Sequence, residues 1–355
     1  MNFGEVKISF QEDKLLSLIN KKNIGKVIEY INSYFIKLST SKSSIIWIPG
    51  ENLFELIDDT TLRSRYIQNL QIPIYNNQGK QIDVWSLQQW YFSLENSSYR
   101  PCMKINKPRI FSGNDKTKYF NMMSKSFFGD NPKKKLSDFP KKVQEGVKLI
   151  WDHIYIVWCS RKKNQFGYTQ KWLSHVVNGR KMKTALYMYT VEGVGKGIII
   201  EFLRDKVLGK GLVYQTSDAG ILGGRFNSPL VGIILFVLEE APCATLSEWK
   251  MLDSKFKNFI TESVISIEKK GNDQFEVDNT VSFIINSNHQ VVRVESGNRR
   301  IFQPDVSFEK KGDTKYFNKL GEAMNTEGVA EAFYWNCIEI AGKKTQILMN
   351  KQKDQ

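Results

Sequence analysis

The residues best placed for chemistry lie between Leu186 and Ile200, where an apolar stretch passes through Thr190, Gly193, Gly195, Lys196 and Gly197 into a second apolar stretch. This reads as a strand turning through a glycine-rich loop into a helix. Small residues let successive backbone N–H groups point at polyphosphate oxygens. The following helix adds its positive end, and Lys196 would neutralise the β- and γ-phosphates of an NTP. Two positions depart from the usual G-x-x-x-x-G-K-[ST] spacing. Thr190 stands where the first glycine belongs, and Gly197 occupies the Ser/Thr position whose hydroxyl normally coordinates Mg²⁺. An ordinary glycine turn before a buried helix has the same local pattern.

Further candidates stand at the ends of apolar runs. Leu230 to Leu238 is almost continuously apolar and ends in Glu239 and Glu240, as expected of a central parallel strand with acids at its carboxyl end, where open α/β sheets place ligands. Glu239 would hold magnesium, directly or through water, and Glu240 would polarise the attacking water. A solvated pair of acids at an exposed strand end is the alternative. A third strand, Val281 to Asn286, leads to Asn288, whose amide could orient water against the γ-phosphate; a turn asparagine is the plain alternative. Arg299 and Arg300 precede another apolar stretch. Either could reach across a subunit boundary to stabilise charge on the transferred phosphoryl group, or both could belong to a solvated basic turn.

The order of these elements resembles superfamily 3 helicases, specifically the helicase half of poxvirus- and phage-type primase-helicases. The resemblance is carried by the phosphate loop, the Glu239–Glu240 strand, a basic hairpin, Ser287–Asn288 and Arg299–Arg300, with Tyr168 to His175 and Gly312 to Phe317 in support. It implies an α/β fold: an AAA-related P-loop ATPase core with a central parallel sheet (181–310), preceded by an α+β N-terminal region (1–131) and a basic linker with helical collar (132–180). A C-terminal helical segment (311–355) follows. It implies nucleotide binding at Gly193, Gly195 and Lys196, metal and water handling at Glu239 and Glu240, sensing at Asn288, and an arginine finger at Arg299 or Arg300. Thr190 or a water would stand in for the hydroxyl missing at Gly197. The cofactors implied are ATP and Mg²⁺, and the assembly is a homo-oligomeric ring, a hexamer, moving 3′ to 5′ on single-stranded DNA. The acidic pair of an archaeo-eukaryotic primase is not visible in the N-terminal part, so a primase or polymerase would act in trans or lie on a part of the gene product outside this sequence.

Between the acidic strand and the Ser287–Asn288 strand, Val264 to Glu268 and Gln274 to Val277 alternate around a Gly271–Asn272 turn, predicting a β-hairpin. Lysines at its tip suit a phosphate backbone, and in superfamily 3 rings a hairpin here grips single-stranded nucleic acid. Lys269 and Lys270 are therefore the candidate translocating contacts, with Lys257, on a helical stretch from Glu248 to Ile260, as a further one. An edge hairpin protected by lysines is the alternative. Composition agrees with a polyanionic partner: 51 Lys and Arg against 37 Asp and Glu give a formal charge of +14, which makes binding salt-sensitive without separating DNA from RNA.

Elsewhere, Ser44 to Ile48 reads as a strand, Asp83 to Tyr91 as helical, and Val143 to Val157 as a helix with one apolar face. Asn131 to Pro140 reads as a linker. Cys102, Cys159, Cys243 and Cys337 lack zinc spacing and read as reduced thiols of a cytoplasmic compartment. No basic-then-apolar leader opens the chain and no run reaches membrane-spanning length, so the expectation is a soluble, unsecreted protein. Enrichment in Asn, Lys and Ile fits an AT-rich viral, phage or mobile-element genome. Little room remains for a winged-helix module at the end. Two other classes stay open: a nucleotide-binding ring scaffold with negligible turnover, and a packaging or RNA-remodelling ATPase.

Overall fold

The computed structural model describes residues 11–21, 24–39, 43–47, 54–62, 71–76, 78–93, 98–105, 107–223, 227–239, 256–268, 274–288 and 299–342. They divide into two compact units. One takes Met1–Cys102, Pro108–Met122 and Ser266–Val277; the other takes Met103–Lys107, Met123–Ile265 and Asp278–Gln355.

The first unit contains α1 (Glu12–Asn20), α2 (Ile24–Asn32), β1 (Phe35–Leu38), β2 (Ser43–Trp47), β3 (Phe54–Asp58), α3 (Asp59–Leu62), β4 (Gln71–Tyr75), β5 (Gln81–Ser86), α4 (Leu87–Ser93), β6 (Ser98–Cys102), β7 (Ile110–Ser112) and β8 (Lys118–Asn121). Six strands form one mixed sheet in the order β3-β2-β1-β6-β8-β7, and β4 pairs with β5. Leu15 and Ile31 from the helices meet Phe35, Ile46 and Ile57 from the sheet and Tyr91 from α4 in a buried cluster. The helix expected over Asp83 to Tyr91 is a correction: strand β5 runs to Ser86 before α4 begins. The reason is a reciprocal cap. Ser86 Oγ accepts from the Gln89 N–H at 3.2 Å, and Gln89 Oε1 accepts from the Ser86 N–H at 3.1 Å, which fixes the helix start at this serine.

The second unit opens with α5 (Lys141–His153), whose helix continues through a wider π-type turn at Ile154–Trp158, then α6 (Lys163–Val177). The apolar face expected from Val143 to Val157 is buried, with Val147, Ile150, Ile154 and Val157 all at 0% exposure. In the preceding segment Lys134 pairs with Glu331 at 3.0 Å. Then come β9 (Ala185–Tyr189), α7 (Lys196–Phe202) continuing through a π-type stretch at Leu203–Leu208, β10 (Val213–Thr216), α8 (Gly220–Gly223), β11 (Leu235–Glu239), α9 (256–261), β14 (Ser282–Ser287), β15 (Ile301–Phe302), α10 (Thr314–Asn325) and α11 (Val329–Gly342). Between α9 and β14 the chain forms β12 (Val264–Ile267), which passes from this unit into the first, and β13 (Phe275–Asp278), which belongs to the first except for Asp278. The expected strand from Leu230 is shorter than its apolar run. Ser228–Leu230 forms a 3₁₀ turn and Gly232 takes φ +77°, a left-handed conformation that breaks extension, so β11 starts at Leu235.

Five strands make a parallel sheet in the order β10-β11-β14-β9-β15. Every residue of β14 is buried, as are Ala185 to Met188 of β9 and Leu235 to Leu238 of β11, the burial of strands covered on both faces. β12 and β13 pair with each other, as the alternating runs predict. Trp151 packs on Phe333 with ring centroids 4.9 Å apart and donates to Asn336 at 2.9 Å, tying α5 to α11. Trp158 is likewise buried, and Cys102, Cys159 and Cys337 are buried cysteines outside any disulfide. Among the described residues no helix is long and apolar enough to cross a membrane, and no cluster of His, Cys, Asp and Glu has metal-site form.

Candidate nucleotide site

The site is built at the carboxyl ends of β9, β14 and β11. After β9 the chain turns through Gly193 at φ +76° and Gly195 at φ +94° before entering α7. Gly195 is required twice over: its backbone is left-handed, and a Cβ there would lie 2.6 Å from Phe317 and 2.9 Å from His153. A Cβ on Gly197 would meet no atom of the described residues within 4 Å.

Lys196 is 9% exposed. Its ammonium donates to the carbonyls of Thr190 at 3.0 Å and Ser287 at 3.1 Å and to Asn288 Oδ1 at 3.0 Å. The amide of Asn288 in turn donates to Glu192 at 3.0 Å. The lysine thus rests on the tip of β14, held by polar oxygens that a phosphate could replace.

One strand over, the Glu239 carboxylate accepts from Gln215 at 2.8 Å and from the Asn286 amide at 3.0 and 3.1 Å. Gln215, on β10, is itself held by Arg204, which also grips Asp205 at 2.7 Å. Because β14 lies between β9 and β11, Asn286 is in register with both Met188 and Glu239. Glu192, Gly193, Gly195, Lys196, Gly197, Glu239, Asn286 and Asn288 all line one cleft of about 260 Å³. That is below the size of a pocket enclosing a whole cofactor and suits the phosphate end of a nucleotide.

Behind the loop, fully buried His153 meets the Gly195 carbonyl through Nε2 at 2.9 Å and the Tyr316 hydroxyl through Nδ1 at 3.0 Å. A carbonyl only accepts, so Nε2 carries the proton and Nδ1 accepts from Tyr316. Burial pushes the imidazole down to about 4, against the smaller opposing effect of its bond to Gly195. The neutral ring satisfies both partners.

A family of unknown function, DUF5906, matches residues 188–300. The DNA primase-polymerase of Nitratiruptor phage NrS-1 is 25% identical over 146 residues, which make up 39% of this chain and 20% of that protein. The matched stretch is therefore about a fifth of the relative's length. Two apo structures of the NrS-1 C-terminal region superpose with a TM-score of 0.60 each. Their identities are 16 and 17%, covering 89 and 96% of this chain and 68 and 71% of those chains. The chain is similar in sequence to part of a phage primase-polymerase. At such low identity the structural likeness is one of fold.

The expected residues fall into three groups. Thr190, Gly193, Gly195, Lys196, Gly197, Glu239 and Asn288 come together around the cleft, Thr190 through its carbonyl. Glu240, Lys269 and Lys270 lie outside the described residues. Arg299 and Arg300 precede β15, whose Ile301 is in register with Ala185 at the start of β9. At about 3.3 Å per residue they sit roughly 15 Å down the sheet from the loop that follows Tyr189, away from their own chain's cleft. Lys257 lies on α9 beside buried Phe256 and Ile260.

Sequence reading missed Asn286, Gln215, Arg204, Glu192, His153 and Tyr316. Asn286 carried a usable sign: an amide inside a strand otherwise read as buried on both faces needs a polar partner. The others are joined only by tertiary packing.

Proposed function

We propose that this chain is the motor part of a phage-type DNA replication protein, an ATP hydrolase of the ring-helicase kind that moves on single-stranded DNA. The observation that carries the reading is the convergence of Lys196, Asn288 and Glu239 from three adjacent parallel strand ends on one phosphate-sized cleft. In this reading Gly193, Gly195 and Gly197 present backbone N–H groups to the phosphates. Lys196 exchanges its carbonyl and amide partners for phosphate oxygens. Asn288, released from Lys196, is free to orient the attacking water, and Glu240 polarises it.

The residues present fit a divalent ion. Glu239 is a hard oxygen donor held in place by two side-chain amides, and the buried Oδ1 of Asn286 has no hydrogen-bond partner among the described residues. When bound with ATP, Mg²⁺ supplies charge neutralisation on the transferred phosphoryl group. Arg299 or Arg300 acts on a neighbour's nucleotide, which asks for a ring, a hexamer in this reading. Lys257, Lys269 and Lys270 meet the DNA backbone. Similarity to a protein named as a primase-polymerase supports a role in replication, with priming and polymerisation supplied in trans or by a part of the gene product beyond this sequence.

The test is steady-state ATP hydrolysis with and without single-stranded DNA. Lys196→Ala should lose nucleotide binding, and Glu240→Gln should retain binding while losing turnover. Tight binding with no turnover under any nucleic acid would favour a scaffold, the reading that Gly197 supports. Stimulation by RNA or duplex instead would favour a packaging or remodelling motor.

A further inference from the structure

Gly197 leaves the cleft without the hydroxyl that ordinarily stands beside the phosphate-binding lysine. One atom already in the cleft has the chemistry to replace it. Asn286 is 3% exposed, and its Oδ1 is buried with no hydrogen-bond partner among the described residues, a rare condition for a buried acceptor. The amide's orientation follows from its neighbour. An ionised carboxylate only accepts, so Nδ2 must face Glu239, as it does at 3.0 and 3.1 Å, and Oδ1 must face elsewhere. Asn286 and Gly197 line the same cleft.

We propose that Asn286 takes the place of the missing hydroxyl: its Oδ1, together with Glu239, holds the divalent cation that accompanies the nucleotide, touching the ion or a water it carries. This rests on the nucleotide-site reading above. The exchange is chemically even. A carboxamide oxygen and a hydroxyl oxygen are both neutral, hard donors, so the charge of the site is the same with either. A single amide then serves two ends, orienting Glu239 through Nδ2 and facing the ion through Oδ1.

Because a Cβ on Gly197 has open space around it, the hydroxyl can be put back. Mn²⁺ is the probe, its binding read by electron paramagnetic resonance in saturating ADP, with fluorescent ADP binding in EDTA measured separately. Asn286→Ala should weaken Mn²⁺ binding by about tenfold or more and leave metal-free ADP binding unchanged. Adding Gly197→Ser to that variant should restore most of the Mn²⁺ affinity. Asn286→Leu, which keeps the branching of the side chain, serves if the alanine variant fails to fold. Wild-type Mn²⁺ affinity in the Asn286 variants would overturn the proposal alone, as would a loss that Gly197→Ser does not repair, which would mark Asn286 as a prop for Glu239 only. Failure of the wild type to bind ADP at all would overturn the nucleotide-site reading and this inference together.

Discussion

Gly195 and Gly197 flank the same lysine, and the structure predicts opposite outcomes for the same substitution at each. At Gly195, alanine would have to hold φ +94°, which costs an L-residue roughly 1–2 kcal/mol. It would also press its Cβ against the Phe317 ring at 2.6 Å and His153 at 2.9 Å, overpacking that costs about 1–3 kcal/mol. Together these give about 2–5 kcal/mol, which the loop can escape only by leaving its place on His153. At about 1.4 kcal/mol per factor of ten, a displaced loop should bind nucleotide at least roughly thirtyfold more weakly. Gly197→Ala meets no atom within 4 Å and replaces glycine in a helical first turn, a change worth about 0.4–1 kcal/mol in the stabilising direction. Fluorescent-nucleotide titration and thermal unfolding of both variants provide the assay. Gly195→Ala should lose affinity and melting temperature; Gly197→Ala should keep the first and hold or raise the second. Wild-type behaviour of Gly195→Ala would refute the packing argument, and unfolding of Gly197→Ala would refute the claim of open space.

Acid should act through His153. Its folded pKa of about 4 lies below the ordinary 6.5, so the unfolded chain binds a proton first as pH falls. Its contribution is complete above about 6.5 and lost towards about 4, an effect near 3 kcal/mol; urea unfolding at pH 7 and pH 4 should therefore show a larger loss in wild type than in His153→Gln, and equal losses would contradict the burial effect. Asn288→Ala should lower turnover by about a hundredfold, the low end for a positioned catalytic group, with nucleotide affinity within a few-fold, and a pure affinity defect would remove Asn288 from the chemistry. A double Arg299→Ala, Arg300→Ala variant should bind nucleotide normally but hydrolyse poorly, and mixing it with Lys196→Ala protein should recover part of the activity; no recovery would count against completion of the site by a neighbour. Lys269→Ala with Lys270→Ala should keep basal hydrolysis and lose DNA stimulation, and a wild-type response would leave the hairpin without its assigned role.

What could be read from the chain was what local chemistry dictates. The glycine loop, the acid at the end of β11 and the asparagine after β14 each sit at a strand end, and apolar periodicity locates strand ends well enough. β11 was overextended because Leu230 to Ile234 is as apolar as the strand itself, and only the left-handed Gly232 shows where extension stops. The Asp83 to Tyr91 segment reads as helical because residues such as Gln89 suit a helix interior, while the reciprocal bonds of Ser86 and Gln89, which set the boundary, are a property of pairs. His153 was beyond reach for a different reason. Its partners, Gly195 and Tyr316, lie 42 and 163 residues away, and nothing in a lone histidine on an apolar helix face separates a core residue from a brace.

The strand order explains why so much of the site was nevertheless expected in one place. Inserting β14 between β9 and β11 sets two asparagines, Asn286 and Asn288, between the lysine and the carboxylate, spaced so that one faces each. Asn288 accepts from Lys196 and Asn286 donates to Glu239, so a cation and an anion that would otherwise attract each other across the cleft are each held by an amide. Direct pairing of Lys196 with Glu239 would bury both charges against one another and leave neither for a phosphate or a metal ion. Lys196 and Glu239 line the same cleft, and in the reading proposed above the lysine meets the phosphate oxygens while the carboxylate meets the ion that accompanies them. The arginines before β15 stand at the opposite end of the sheet from this cleft, and in the proposed reading it is a neighbouring copy's arginine that meets charge developing at its open side. That reading predicts a monomer that binds nucleotide fully and hydrolyses it poorly, and full turnover by a monomer would refute it.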